Sequence, residues 1–315
     1  MKIIIVTPAG NRSRHGNRNT ASRWAELLRD LGHKVMVEVS WSGNEAGAMI
    51  ALHARRSHDS IRRFALAHPA RPLIVVLTGT DLYRDIRFDA GAQLSMQLAT
   101  RMVVLQDMGL RELAPALRRK TRVIYQSAQA APREPRLKSC FEVLVSGYLR
   151  KEKDPFRAAA ALARLPSESR IRVTHAGGAI TPEFAEEARQ WMLREPRYRW
   201  LGEVTHGRAL RLLARSRVMV ISSRMEGGAN VVCEALAAGV PVIASRVSGN
   251  IGMLGRDYAG YYPVEDELAL AKLLLRAETG AGFLGRLAAQ CRARKHLVAA
   301  RSERSGLRKL FEGIM

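Results

Sequence analysis

The chain has few acidic residues: 29 Asp and Glu stand against 51 Lys and Arg, a formal net charge of +22 over 315 residues. Only nine of the basic residues are lysines, so the other 42 are arginines. A field of this sign attracts anions, and nucleic acid, lipid headgroups and phosphorylated metabolites all stay open as partners. A well-solvated arginine surface is the alternative that needs no ligand.

Cysteine and long apolar runs are scarce too. Cys140, Cys233 and Cys291 form no Cys-x-x-Cys pair, which argues against a disulfide framework and against a zinc site. No stretch approaches the roughly 20 apolar residues of a membrane helix, and the apolar run at residues 3–6 is too short for a signal peptide. These absences predict a soluble cytoplasmic protein, with a peripheral membrane contact through basic residues left open.

Short, continuously apolar segments alternate with amphipathic ones along the chain. The predicted strands are residues 2–6, 35–39, 73–77, 102–105, 142–146, 171–174, 218–222 and 240–244. The predicted helices are residues 19–31, 60–66, 155–165, 183–194, 207–215 and 230–238, together with most of the chain from 268 onwards. Apolar strands that alternate with helices are typical of a parallel sheet covered on both faces. The pattern predicts an α/β protein.

Residues 126–139, QSAQAAPREPRLKS, are rich in Pro, Ala and charge and lack apolar periodicity, which is typical of a linker. We predict an N-terminal Rossmann-like domain at residues 1–130 on the acceptor side and a C-terminal one at 131–295 for the donor. A C-terminal helix is predicted at 296–315, and its return to the N-terminal domain is left open. Two doubly wound domains would bind ligands in a cleft, at the carboxyl ends of their strands.

The segment ISSRMEGGANVVCEALAAGVPVIASRVSGN, residues 221–250, carries the clearest chemical pattern. Seven residues separate Glu226 from Glu234. Between them lie the residues of a predicted helix start: Gly227, Gly228, Ala229 and Asn230. Backbone amides exposed at a helix start suit phosphate or sugar oxygens, and glycines allow a ligand to approach closely. Glu234, one turn into the helix, is placed to accept hydrogen bonds from ribose hydroxyls.

This segment resembles the donor-site motif of the family-4 retaining glycosyltransferases, which have the GT-B fold. Their motif has two glutamates separated by seven residues, followed by a stretch similar to EALAAGVPVI at residues 234–243. In that family the first glutamate lies by the donor sugar and the second holds the nucleotide ribose. The resemblance gives these roles to Glu226 and Glu234 and implies two Rossmann-like domains facing a central cleft. Two solvated glutamates on a helix would be the alternative.

A second family motif, Gly-Arg-Leu-x-x-Glu-Lys-Gly, uses its Arg and Lys to hold the donor diphosphate. This chain has GYLRKEKD at residues 147–154, so Lys153 matches the lysine, Tyr148 replaces the arginine, and an aspartate replaces the last glycine. We expect Arg150 to supply the missing charge and Tyr148 to lie at the donor. His175 ends a predicted strand near two glycines and is a further donor-side candidate. The predicted catalytic residues are Glu226, Lys153 and Arg150.

The first loop, GNRSRHGNRNT at residues 10–20, holds three arginines and a histidine but no carboxylate. Arginine forks beside a helix N-terminus favour a bound anion, although a basic loop in water is the alternative. Asp81 follows another predicted strand, where it serves as a base, as an arginine partner or as a cap. The predicted acceptor-side residues are Arg12, Arg14, His15, Gly16, Asn17, Arg18, Thr80 and Asp81.

Three segments, TPAGNRSRHGNRNTASRWAELLRDLGHKV, LTGTDLYRD and GYLRKEKDPFRAA, resemble the selenosugar synthases of selenoneine biosynthesis, a group within family 4. That resemblance implies transfer from a UDP-sugar (UDP-GlcNAc or UDP-glucose) to selenium from selenophosphate, with release of UDP and phosphate. Transfer to a hydroxyl of an anionic lipid or phosphosugar is the alternative. Nucleic-acid binding is a third hypothesis, without a recognisable binding motif. No Asp-x-Asp occurs, and we expect neither a metal nor another cofactor.

Overall fold

A computed structural model describes residues 1–8, 10, 16–129, 131–132 and 134–314 of the chain. The chain divides into two compact units. The first contains Met1–Ser127 and Ala299–Met315, and the second contains Ala128–Val298. Each unit has its own parallel sheet of six strands. The α/β class and the GT-B architecture predicted from the sequence are therefore confirmed.

All strands run parallel to their neighbours. They are β1 (Lys2–Val6), β2 (Lys34–Glu38), β3 (Ala48–Leu52), β4 (Leu73–Leu77), β5 (Arg101–Val104), β6 (Thr121–Val123), β7 (Phe141–Ser146), β8 (Ile171–Ala176), β9 (Tyr198–Trp200), β10 (Val218–Ile221), β11 (Val242–Ser245) and β12 (Tyr261–Tyr262). The first sheet has the order β2-β1-β3-β4-β5-β6, and the second has the order β12-β11-β10-β7-β8-β9.

The α-helices cover both sheets. They are α1 (Gly16–Asp30), α2 (His58–Ala67), α3 (Ile86–Phe88), α4 (Ala90–Leu98), α5 (Pro115–Arg119), α6 (Arg157–Leu162), α7 (Pro182–Arg194), α8 (His206–Arg215), α9 (Asn230–Ala238), α10 (Ser248–Leu254), α11 (Glu267–Thr279), α12 (Ala281–Arg294) and α13 (Ala300–Leu310). Short 3-10 turns and one π-helical turn, Asp81–Asp85, connect some of them.

Alternation along β1 divides the core of the first unit between the two faces of its sheet. Ile3 and Ile5 belong to the cluster that contains Trp24 of α1, whereas Ile4 and Val6 belong to the cluster that contains Phe64 of α2. Successive side chains of a strand point to opposite faces, so a strand covered on both sides must be apolar throughout. This requirement explains why β1 is recognisable in the sequence.

Helix α13 belongs to the first unit although it ends the chain, and it packs against α1. Its buried Glu303 accepts hydrogen bonds from Arg23 Nε at 2.9 Å, Trp24 Nε1 at 2.7 Å and the backbone N–H of Ser127 at 2.8 Å. A buried carboxylate is tolerated only when it is paired and hydrogen-bonded. These contacts therefore fix α13 in place.

Each predicted strand overlaps an observed one, but β3, β6, β9 and β12 were not predicted. Strands β6, β9 and β12 have two or three residues each, too few for a periodic signal. The five-residue strand β3, AMIAL, is fully buried, and its omission matters because it leads directly to His53. Among the helices that the structure describes, none is long and apolar enough to cross a membrane.

Candidate functional site

A nearly buried ion pair joins two loops at the carboxyl edge of the second sheet. Lys153 lies in a 3-10 turn after β7, and Glu226 lies in the loop between β10 and α9. The Lys153 ammonium contacts Glu226 Oε1, and Ser223 Oγ donates to the same oxygen at 2.5 Å. Glu226 is 8% exposed. The fold thus brings together two of the predicted catalytic residues, 73 positions apart in the sequence.

The Lys153 turn is itself held by hydrogen bonds to the neighbouring loop. Ser222 Oγ donates to the carbonyl of Lys153 at 3.1 Å and to that of Asp154 at 2.8 Å. Asp154 adopts a left-handed conformation, with φ of 44° and ψ of 60°. Glycine adopts this region freely, and Asp is one of the few other residues that tolerate it. The aspartate at the family's glycine position therefore preserves the turn.

Arg150 and Tyr148 flank the same loop. The Nε of Arg150 is buried and has no hydrogen-bond partner. Leaving such a donor unsatisfied costs free energy, which an anion bound beside it would recover. The Tyr148 hydroxyl donates to Glu203 Oε1 at 3.2 Å. Diphosphate binding by Arg150 and donor contact by Tyr148 stay predictions, with the unpaired Nε as support for the first.

Two glycines allow backbone segments to approach closely around these loops. A Cβ at Gly249, in the first turn of α10, would lie 1.9 Å from the carbonyl oxygen of Glu226. A Cβ at Gly177, after β8, would lie 1.8 Å from the carbonyl oxygen of Gly147. Side chains are sterically excluded at both positions. Sequence analysis missed Gly249 and Ser223, and a glycine in a loop that follows a buried strand was the available signal for the first.

The residues that lead into α9 differ in their burial. Gly227 and Ala229 are buried, whereas Gly228 and Asn230 are only partly covered. The prediction concerned the backbone amides of Gly227, Gly228 and Ala229, which the burial of whole residues does not test. The loop is closely packed, since the Glu226 backbone is in contact with α10. Donor contacts by the four residues stay predictions.

Glu234, the second glutamate of the motif, pairs with a histidine that the sequence analysis did not single out. His206, the first residue of α8, lies with its Nε2 2.9 Å from Glu234 Oε1. The hydrogen bond that the His206 ring donates to this carboxylate raises the pKa of His206 above its usual value. The side chain of His206 is 63% exposed and that of Glu234 is 17% exposed. A ribose hydroxyl at Glu234 would therefore share the carboxylate with His206.

His175, predicted at the donor, is buried at the end of β8. Its Nδ1 lies 3.0 Å from the Tyr198 hydroxyl, and its Nε2 lies 3.2 Å from the carbonyl oxygen of Gly147. Burial lowers the pKa of His175 to about 4, so the ring is neutral near pH 7. Together with Lys153 it lines a cavity of about 20 Å³, which holds no more than a water molecule. These contacts support the Gly147 loop, and donor contact stays a prediction.

The acceptor-side candidates lie in the first unit. Arg12, Arg14 and His15 fall outside the described residues. Gly16, Asn17 and Arg18 form the first turn of α1, which begins three residues before the predicted start. The Nη1 of Arg18 is buried without a hydrogen-bond partner, which costs free energy. Contact of Gly16, Asn17 and Arg18 with an acceptor stays a prediction.

Asp81 is fully buried after β4 and anchors its own loop. Its carboxylate accepts from the backbone N–H groups of Thr78 at 3.0 Å, Gly79 at 2.8 Å and Ala54 at 3.0 Å. All three donors precede Asp81 in the chain, so these bonds hold the preceding loops and do not cap the turn that follows. Contact between Asp81 and an acceptor stays a prediction.

His53 lies beside Thr80, one of the predicted acceptor-side residues. It follows β3 with φ of 74°, an uncommon conformation for a residue other than glycine. Its Nε2 lies 3.0 Å from Thr80 Oγ1 and 3.9 Å from Asp85 Oδ2, an oxygen without a hydrogen-bond partner. Burial lowers the pKa of His53. The polar residues after β3 and β4 therefore form one cluster around Thr80.

Metal ligation was not expected from the sequence. In the part of the chain that the structure describes, no three His, Cys, Asp or Glu side chains are grouped so that they could hold a metal ion. That a cofactor is not required stays a prediction.

A family profile described as glycosyl transferases group 1 matches residues 130–294, just over half of the chain. The chain belongs to the glycosyl transferases group 1 family. The matched region contains Lys153 and Glu226, which lie at the carboxyl edge of the second sheet, and Glu234 of α9. The matched region, residues 130–294, thus corresponds closely to the second unit, Ala128–Val298.

Among curated proteins, the chain is similar to a glycogen synthase of Mycobacterium tuberculosis (strain H37Rv), with 30% identity over 198 residues. That match covers 55% of this chain and 46% of the synthase, so the chain spans less than half the length of this relative. A glycosyltransferase 1 domain-containing protein of Xenopus tropicalis is 23% identical over 295 residues, 82% of this chain and 83% of that protein.

Solved structures share the fold of this group 1 protein over nearly its whole length. HepE of Anabaena, solved with UDP and glucose, has a TM-score of 0.75 at 16% identity, over 98% of this chain and 97% of HepE. A sucrose-phosphate synthase of Thermosynechococcus elongatus has a TM-score of 0.77 at 15% identity, over 98% of both chains. At these identities the likeness shows the fold alone.

Proposed function

We propose that the chain is a glycosyltransferase that moves the sugar of a UDP-sugar onto the selenium of selenophosphate. The single observation that carries the transferase proposal is the nearly buried contact between Lys153 and Glu226, held by Ser223 at the carboxyl edge of a parallel sheet. Such edges are where open α/β sheets bind their ligands. Family membership and the UDP complex of the similar Anabaena HepE support a UDP-sugar as the donor.

Glu226 would lie beside the donor sugar, and its contacts with Lys153 and Ser223 fix its position before the ligand arrives. When the bond between sugar and diphosphate breaks, negative charge grows on the departing UDP. Lys153 has donors left for that charge beyond the one that Glu226 takes, and Arg150 has an unpaired buried Nε. Preorganised cations of this kind stabilise a transition state without having to reorganise. The N-terminus of α9 adds to the positive potential.

The acceptor proposal rests on the positive character of the α1 start and on the resemblance to selenosugar synthases. Selenophosphate already carries negative charge on its selenium, so attack needs no strong base. A selenium lone pair forms the bond to the anomeric carbon while the carbon–oxygen bond to UDP breaks. Water then cleaves the phosphorus–selenium bond and releases phosphate and the selenosugar. Arg18, whose Nη1 is buried and unpaired, would contact the phosphate group.

We expect this chemistry in the cytoplasm, where thiols and reduced selenium persist. The three cysteines are free and buried, as is usual in a reducing compartment.

Mass spectrometry of products from the full chain tests the proposal. UDP-GlcNAc and UDP-glucose are each offered with selenophosphate, and separately with glycerol phosphate, a phosphosugar and simple alcohols. The expected result is a product with the selenium isotope pattern and release of equal amounts of UDP. Transfer to a hydroxyl acceptor alone would establish the alternative acceptor class. Failure to consume any UDP-sugar would overturn the transferase proposal itself.

A matched pair of lysine variants locates the site. Lys153→Met should reduce turnover by about 100-fold or more, since one preorganised charge contact is removed from the transition state. Lys151→Met, two residues away and exposed, removes the same charge and should leave turnover unchanged. Equal losses in the two variants would indicate a general effect of charge and would argue against the assigned role of Lys153.

A further inference from the structure

A second pocket in the second unit shares no residue with the cavity beside Lys153. Its volume is about 350 Å³, within the usual range for small-molecule sites. Strand β9 and its end contribute Arg199 and Leu201, and β8 contributes Thr174. Helix α8 contributes Arg208, Arg211, Leu212 and Arg215. Glu134, from the segment at residues 126–139, completes the lining.

Three of the four guanidinium groups have no internal counter-charge. The side chains of Arg199, Arg208 and Arg211 make no hydrogen bond or ion pair with a described residue, and all three residues are exposed. By contrast, Arg197 pairs with Glu195 at 2.8 Å, and Arg157 pairs with Asp154 at 2.8 Å. Arg199, Arg208 and Arg211 are therefore not part of the ion-pair network that neutralises other basic residues of this unit.

Helical spacing concentrates these charges on one face. Arg208, Arg211 and Arg215 are three and four positions apart, so they share a face of α8, and α8 contains no acidic residue. Like charges at this spacing destabilise a helix. Arg199 lies opposite Thr174 in the register of β8 and β9 and adds a fourth charge from the sheet. An anion between the helix and the sheet would relieve this repulsion.

The inner wall of the pocket is polar and incompletely satisfied. Arg215 Nη2 donates to the buried Glu142 Oε1 at 2.6 Å, and Thr174 Oγ1 donates to the same oxygen at 3.0 Å. Arg215 Nε is buried without a hydrogen-bond partner. The contact with Glu142 neutralises part of Arg215, and Glu134 adds one carboxylate to the lining. Four guanidinium groups against the carboxylates of Glu142 and Glu134 leave two positive charges in excess, and the buried Nε of Arg215 is unsatisfied.

We propose that this pocket binds a small phosphorylated molecule. Arginine forks match phosphate oxygens, and Leu201 and Leu212 offer apolar contact to a carbon skeleton. A concave site with an inner wall that contains Thr174 suits a compact anion better than a flat membrane or a nucleic-acid backbone. The site is independent of the proposed donor site, since none of its residues contacts Lys153 or Glu226 in the structure.

Binding of inorganic phosphate and of ribose 5-phosphate to the full chain tests this proposal. Calorimetry at constant ionic strength compares the wild type with Arg208→Gln/Arg211→Gln and with Arg286→Gln/Arg292→Gln. The second pair makes the same charge change at exposed positions of α12, outside the pocket. We expect the dissociation constant to rise about tenfold or more only in the α8 variant, because charge-assisted hydrogen bonds are lost. Lys153→Met should bind like the wild type.

One further variant, Arg199→Gln, and two alternative ligands, phosphatidylglycerol vesicles and single-stranded RNA, test the pocket assignment. Arg199→Gln, on a different element, should weaken binding in the same direction, which separates a pocket effect from a defect of α8. Absence of binding to the wild type, or equal binding in the α8 and α12 variants, would overturn the proposal. Selective binding of phosphatidylglycerol vesicles or of single-stranded RNA through Arg208 and Arg211, without binding of either small phosphate, would overturn it as well.

Discussion

Replacing Gly249 with alanine should displace Glu226, and the structure gives the size of the displacement. The added Cβ would lie 1.9 Å from the Glu226 carbonyl oxygen, 2.6 Å from its carbonyl carbon and 2.7 Å from its Cβ. Real Cβ atoms essentially never approach other heavy atoms closer than 3.0 Å, so the start of α10 and the Glu226 loop must separate by at least 1.1 Å (3.0 − 1.9). The atoms in contact are backbone atoms, which cannot rotate away.

A shift of this size acts on turnover more than on folding. Overpacking usually costs about 1–3 kcal/mol of unfolding free energy, which a unit with an extensive core tolerates. A misplacement of about 1 Å can reduce turnover about 100-fold, because the reacting groups lose their orientation. We therefore expect Gly249→Ala to lower UDP-sugar turnover by about two orders of magnitude in a protein that still unfolds cooperatively.

Gly285→Ala is the matched control. A Cβ at Gly285, within α12, meets no atom within 4 Å. Alanine there should leave turnover unchanged and raise the free energy of unfolding by about 0.5–1 kcal/mol, because glycine is costly inside a helix. UDP release and urea unfolding are measured for both variants. Wild-type turnover in Gly249→Ala, with a wild-type unfolding curve, would refute the steric argument.

Three further predictions concern stability. Glu303→Ala should lower the free energy of unfolding of the first unit by about 3–5 kcal/mol in urea, because Trp24 and the other buried donors lose their acceptor. In the wild type, about 3 kcal/mol of the free energy of unfolding should be lost between pH 6.5 and pH 4, because burial lowers the pKa of His175 to about 4 and the unfolded state binds the proton first. His175→Gln should abolish this pH dependence, and an unchanged pH profile would contradict the prediction. The protonated ring of His206 pairs with Glu234, which gives a small stabilisation below pH 6.5 that is lost as the pH rises through the raised pKa of His206. His206→Gln should remove this stabilisation, and melting temperatures from pH 5 to 9 would show the loss.

Local patterns predicted most of the fold because buried parallel strands are apolar without interruption. Strand β4, Leu73–Leu77, is the simplest case, since all five residues are buried and all are aliphatic. Strand β3 has the same burial but two alanines, which weaken the β signal of its five residues. Strand β12 has two residues and exists only because β11 lies beside it. Strands of that kind have no pattern of their own to detect.

The sequence by itself determined the donor motif, because Glu226, the glycines and Glu234 lie within one short loop and the helix that follows. Only the tertiary structure decided which residues meet them. Lys153 reaches Glu226 because β7 and β10 are neighbours in the second sheet, and His206 reaches Glu234 because α8 and α9 are in contact. Strand order depends on how whole elements bury their surfaces, whereas the spacing within a loop is fixed by the chain itself.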